Sequence, residues 1–414
     1  MFTLLFVAFL LTDIALRLWL ATRQIRHVTA QRAQVPAEFS DRIGLPSHQR
    51  AADYTVAKTK LGMVERVADA AILVALTLLG GLQLLDVALG HAIDNEMLRQ
   101  LALVGCVLVA VSLLGLPFSI WRKFKLEAKF GFNRITPRLF IVDSVKGLLL
   151  GLLFGLPLCA LVLWVMANTG AWWGWWAWCI WVVFNVLVLW LFPTLIAPLF
   201  NKFVPLDNPE LAARIQALAK RCGFALRGLF VMDGSRRSAH GNAYFTGFGK
   251  SRRIVFFDTL LSRLNVDEVE AVLAHELGHF KHKHIIKRMF VTFALALGFF
   301  LLLHWLSGQV WFYTGLGVLP QLGRPNDALA LILFFLVTPT FTFWASPLAS
   351  WLSRRDEFQA DRYAVGQCTA QPLIAALIKL YDDNAATLTP DPLHSAFYDS
   401  HPPAVLRIQH LKHG

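Results

Sequence analysis

The chain has 414 residues, of which 56% are hydrophobic and only 16% charged, with a mean hydropathy of +0.53. A soluble domain carries roughly 25% charged residues, so the composition excludes an ordinary soluble protein and points to a polytopic membrane protein. The formal net charge of +12 reads as cytoplasmic loop charge, not as a nucleic-acid surface.

An apolar run starts directly after Met1, with no basic segment before it and no A-x-A site after it. It reads as a retained membrane helix, interrupted by Asp13 and Arg17. In all, seven stretches approach the roughly 20 residues that a bilayer needs. They lie near 2–21, 68–90, 100–121, 145–167, 172–199, 289–307 and 328–352, the last broken by Pro339 and Pro347. Gly147, Gly151 and Gly155 form a small-residue stripe expected to pack closely on another helix. Lys and Arg crowd 22–67, 122–144, 200–288 and the tail after 352. By contrast 91–99 and 308–327 hold only Arg99 and Arg324, and 168–171 holds none. The positive-inside rule therefore puts the basic segments in the cytoplasm and the N-terminus outside. It also brings 200–288 and the tail to the same side. Cys106, Cys159 and Cys179 lie in apolar stretches, Cys222 and Cys368 in polar ones. With no C-x-x-C pair they read as free thiols.

Residues 202–288 read as a soluble region. An amphipathic helix is expected at 208–222, short strands at 227–232, 241–247 and 252–257, and a turn at Gly247 and Gly249. Asn265 and Glu268 make a capping-box start for a helix expected to run on into the sixth span. That helix carries His275-Glu276-Leu277-Gly278-His279. Residues four apart share a helix face, so the two imidazoles can grip one metal ion with Glu276 beside the remaining position, as in a zinc hydrolase. A third ligand is still needed. The pattern that adds a third His after a Gly is excluded, because His282 stands where the Gly would be and Ile285 where the His would be. His282 and His284 then read as solvated or interfacial.

Downstream, Glu357 and Asp361 are four apart on a predicted helix. One carboxylate can bind metal while the other accepts the free N–H of a ligand His. Spacing alone does not say which, and a plain charged face pairing Glu357 with Arg354 and Asp361 with Arg362 competes. The tail reads as two or three helices with a loop around 387–403. The chain thus divides into a five-span region at 1–200, a cytoplasmic catalytic domain at 201–288, a membrane hairpin at 289–352 and C-terminal catalytic helices at 353–414.

Several stretches, in order along essentially the whole chain, resemble the motifs of the type I CAAX prenyl proteases. They are Glu127 to Asn133 (EAKFGFN), Ala197 to Phe203 (APLFNKF), Arg237 to Phe245 (RSAHGNAYF), His275 to His279, Glu357 to Asp361, and Ser400-His401-Pro402-Pro403 with Arg407. His240-Gly241 departs from the small polar pair usual there, and the compact length fits a bacterial member in an inner membrane. The resemblance implies a predominantly α-helical polytopic membrane protein of about seven transmembrane helices enclosing a chamber, plus a cytoplasmic zincin-like α+β metalloprotease domain. It implies one Zn2+, with Glu357 as third ligand and Asp361 as the partner of a ligand His. It places His401 and Arg407 in the active site, His401 donating to the oxyanion and Arg407 either orienting His401 or meeting a C-terminal carboxylate. Asn242, Ala243 and Tyr244 would form an edge strand to which an extended peptide adds. The expected partners are a peptide or protein substrate, prenylated in this family, and membrane lipid, with no nucleic acid. A rival within the enzyme class is a broad quality-control membrane protease that needs no prenyl group. The rival outside it, a channel or transporter with a structural metal, is disfavoured because Asp86, Asp143 and Lys146 fall near span ends.

Overall fold

The computed structural model describes residues 1–246, 252–321 and 323–413. The expected turn at Gly247 and Gly249 lies outside them. Among the described residues six helices are long and apolar enough to cross a membrane, and one bent pair, taken as one span, makes a seventh. The first is α1 (Phe2–Gln31). The bent pair is α2 (Leu45–Leu76) and α3 (Gly81–Ala92), which meet at 48°. Next come α4 (Glu96–Trp121), continued by a π turn to Glu127, and α5 (Pro137–Asn168). Then α6 (Trp173–Leu191) runs through a second π turn into the short α7 (Ala197–Phe200).

The protease part follows. It contains β1 (Phe203–Pro205), α8 (Pro209–Arg221), β2 (Leu226–Met232), β3 (Ala243–Thr246), β4 (Arg252–Phe257), α9 (Asp258–Leu261) and α10 (Val266–Lys281). The chain returns through α11 (His284–Ser307) and the short α12 (Val310–Thr314) to α13 (Asp327–Thr342) and α14 (Ser346–Gln367). It ends with α15 (Ala370–Asp383), α16 (Pro392–Tyr398) and α17 (Ala404–His413).

Three sequence expectations need correction. The second span contains the apolar stretch at 68–90 but starts earlier and is bent. Residues 45–76 form one helix, whose polar half carries Lys58 and Arg66 along a cavity in the bundle. Hydropathy therefore reads that half as loop. The break comes at Thr77 to Gly80. There Gly317, at φ +77°, closes over the helix end, and a Cβ on it would lie 2.5 Å from the Thr77 carbonyl oxygen. Second, the Gly147, Gly151 and Gly155 stripe packs on nothing: no atom lies within 4 Å of a Cβ built at any of the three. Small residues permit close approach but do not compel it. Third, α10 does not run on into the sixth span. It ends at Lys281, Lys283 takes a left-handed φ of 57°, and α11 starts at His284.

The membrane helices expose most of their apolar surface, as lipid-facing helices must. The seventh span is the exception. Its apolar window is 56% buried, against 22% or less in the six helices' other windows, because α13 packs among α1, α4, α5 and α11. The sheet has the order β1-β2-β4-β3, with β2 and β4 parallel and both outer pairs antiparallel. β3 is therefore an edge strand. Beneath it, α8, α10 and α15 share a core that includes Ile215, Leu218, Ala274, Leu277 and Ile374.

Asp86 is not a free charge at a span end. It is fully buried, with Arg99 at 2.5 Å and the Gln321 amide donating at 2.8 Å. Arg99→Met strands that carboxylate and should cost about 3–5 kcal/mol. Pairing it with Asp86→Asn should recover most of the loss. Thermal unfolding of the three variants in detergent checks this.

Candidate metal centre and active site

The centre forms where α10 lies against α14. The capping box fixes the start of α10: Asn265 accepts from the Glu268 backbone at 2.9 Å, and Glu268 accepts from the Asn265 backbone at 2.8 Å. Ten residues on, His275 and His279 face the same way, their Nε2 atoms 3.3 Å apart. α14 can come close because residue 278 is Gly. A Cβ there would sit 2.9 Å from the Ala360 Cα, inside contact distance. That approach puts Glu357 at 3.5 Å from His275 Nε2 and 3.4 Å from His279 Nε2. One ligand atom from each of these three residues lies within 4.8 Å of the others.

The donor set fits a metal. Glu357 Oε2 is buried and makes no hydrogen bond, with His275 Nε2 and Arg407 standing 3.5 and 3.7 Å off. Such an orphan is costly unless a cation meets it. Two imidazoles and one carboxylate, with no fourth protein ligand grouped with them among the described residues, are the composition of a catalytic zinc site, whereas a structural site is closed by four protein ligands.

Both His residues are held from behind. His275 Nδ1 lies 2.8 Å from Asp361, which is fully buried. Arg407 grips the same carboxylate with two donors, at 2.8 and 2.7 Å. Burial disfavours the Arg407 cation, but Asp361 outweighs it and holds its pKa above the ordinary value. Arg407 is thus buried and bidentate on Asp361, with His275 at 3.2 Å and Glu357 at 3.7 Å. For His275, burial and Arg407 push the pKa down, and the hydrogen bonds of Asp361 and Glu357 more than reverse this.

His279 is supported by a residue that sequence reasoning misjudged. His284 is buried, with its Nδ1 3.0 Å from His279 Nδ1 and its Nε2 3.0 Å from Gln359 on α14. The kink at Lys283 turns it inward. A straight helix would have left it solvated, and no local signal marks the kink. Arg354 does not pair with Glu357 either. It donates to the carbonyls of Ser395 and Asp399, at 3.1 and 2.8 Å, and so ties the segment before His401 to the helix that carries Glu357.

His401 reaches the centre from that segment, its Nε2 3.5 Å from Glu357. Its side chain is 65% exposed because it opens on a cavity of about 910 Å³. Protein around its other sides nevertheless pushes its pKa below the ordinary value, with Glu357 opposing. Glu276 is half-buried and makes no hydrogen bond or ion pair among the described residues. Asn242 lines the same cavity at the head of β3, and Ala243 and Tyr244 pair with Phe256 and Val255 of β4, leaving the outer edge of β3 unpaired. His240 stacks on Phe132, meets Asn384 at 2.8 Å, and lies 3.6 Å from Glu127.

A membrane-embedded bundle joined to a helix pair with this donor set defines an integral membrane metalloprotease. Comparison with known proteins makes it specific. Residues 24–202 match the family model described as CAAX prenyl protease N-terminal, five membrane helices, and residues 205–414 match Peptidase family M48. CAAX prenyl protease 1 of Saccharomyces cerevisiae is 33% identical over 91% of this chain and 88% of its own length. The CAAX prenyl protease 1 homolog of Oryza sativa is 37% identical over 77% and 74%. The crystal structure of S. mikatae Ste24p superposes with a TM-score of 0.93 at 30% identity, covering 100% of this chain and 99% of that one. The chain belongs to the CAAX prenyl protease 1 (Ste24) family of zinc-dependent membrane endopeptidases.

Because Asp361 orients His275, Asp361→Asn should weaken metal binding about 10–100-fold. Chelator competition on the detergent-solubilised protein measures this. Wild-type affinity in the variant would remove Asp361 from that role.

Proposed function

We propose that the chain hydrolyses a peptide bond near the C-terminus of prenylated CAAX-type substrates, using one zinc ion held by His275, His279 and Glu357. The observation that carries this is the convergence of those three side chains beside an unpaired Glu276, with His401, 3.5 Å from Glu357, opening on a large cavity. When bound, zinc supplies a Lewis acid that makes water a competent nucleophile near neutral pH. Glu276, with no cation to hold it, takes the proton of the attacking water and returns it to the leaving amine. His401 offers an N–H to the oxyanion that develops on the scissile carbonyl. Asn242, Ala243 and Tyr244 offer the free edge of β3 to an extended peptide, which reads shape more than sequence.

The alternation of loop charge supports a cytoplasmic catalytic domain and C-terminus and an external N-terminus. The relatives named above are a plant and two yeasts, so they lend no support to the bacterial inner membrane that the length suggested.

Glu276→Gln should keep stoichiometric zinc and lose cleavage by at least about 10²–10⁴-fold; a variant that cuts at the wild-type rate rules the mechanism out. A farnesylated CAAX peptide should be cut faster than its unprenylated twin. Equal rates on the pair would instead favour a quality-control protease that needs no prenyl group.

A further inference from the structure

The cavity before His401 extends from Asn242 to the polar half of α2 and to α1. Four Lys and Arg side chains line it: Arg17, Lys58, Arg66 and Arg122. Arg17 is held by Asp13 at 2.8 Å, Arg122 by Glu65 at 2.5 Å, and Arg66 by Asp69 at 3.5 Å. Lys58 alone has no ion pair or hydrogen bond among the described residues, not even with Asp399, the other carboxylate that lines the space. Lys58 is exposed to that space, so its ammonium is open to an anion that enters the cavity.

Lys58 lines the same cavity as Asn242 and His401, so a ligand that starts at His401 can extend toward it. Asn242 leads back to His240, His240 faces Glu127, and Glu127 accepts from the Tyr54 hydroxyl at 2.7 Å. Lys58 is the next residue on that face of α2, one turn or about 6 Å beyond Tyr54. If the bond cut lies three residues from the chain end, as the name CAAX implies, the released segment, extended at roughly 3.3 Å per residue, carries its terminal carboxylate about 10 Å past the scissile carbonyl. Groups at the metal cannot reach it there. Arg407, the cation nearest the metal, is buried and already bidentate on Asp361.

We propose that Lys58 is the receptor for the free C-terminal carboxylate of the peptide substrate, and so makes the enzyme measure from the chain end. The inference rests on the endopeptidase reading above. A compact ammonium on a flexible stem suits this task, since it follows a carboxylate without demanding fork geometry.

The test uses the full-length, zinc-loaded protein in detergent and two farnesylated peptides that differ only in a C-terminal acid or amide. Wild type should prefer the acid about 10–100-fold in kcat/KM, mostly through KM, the range of one charge-assisted contact. In Lys58→Met the acid-to-amide ratio should fall toward one, and Lys58→Arg should restore much of it. Lys60→Met, two residues on and outside the cavity lining, should keep the wild-type ratio. Zinc content and melting temperature of each variant separate misfolding from lost recognition. A Lys58→Met enzyme that still prefers the acid overturns the proposal, as does a wild type that cuts both peptides equally. The first result points to another receptor, and the second leaves an anionic lipid headgroup as the partner of Lys58. A wild type that cuts neither peptide overturns the endopeptidase reading and this inference with it.

Discussion

The contact between Gly278 on α10 and Ala360 on α14 sets the geometry of everything around the metal centre. It is a backbone-level approach, with no room for a Cβ on residue 278. A carboxylate side chain is short, so Glu357 reaches both imidazoles only if the two helix axes nearly touch. The same approach brings Asp361 under His275 and Gln359 under His284. One small residue thus decides whether three ligands from two helices can act as one site.

Around that contact the protein concentrates buried charge. Asp361, Arg407, Glu357 and His275 are all buried and mutually bonded or within ion-pair distance. Buried ion pairs are weak contributors to stability and costly when broken, so the reason for this one is positional. Asp361 fixes the direction of the His275 ring, and Arg407 keeps Asp361 ionised and in place. α17, which supplies Arg407, is thereby stapled to the core of the site from the far end of the chain.

The membrane bundle adds enclosure. α2 is polar along the face that lines the cavity: Glu65 pairs with Arg122 of the next span, Arg66 pairs with Asp69 on α2 itself, and Lys58 has no ion pair among the described residues. The tail segment with His401 closes the other side. It is held to α1 by Arg23 and Gln24, which meet Asp391, and to α14 by Arg354. The membrane helices therefore act on the chemistry by walling the approach to it and by anchoring the loop that carries His401.

Much of the architecture was legible in the sequence because its signals are local. A four-residue spacing puts His275 and His279 on one face, a capping box marks Asn265, and hydropathy marks the spans. The edge position of β3 and the pairing of Asp361 with a ligand His came from family resemblance, not from periodicity. Tertiary structure alone decided the rest, because each case depends on partners remote in the chain. Arg407 meets Asp361 across 46 residues. His284 is buried because of a left-handed residue at Lys283. The span drawn at 68–90 caught only the apolar part of a bent helix pair, because the half that lines a wet cavity carries charges that read as loop. Residue type and spacing determined which groups could form the centre. Which of them touch, and which cation stays free for a ligand, was decided by how closely the helices pack.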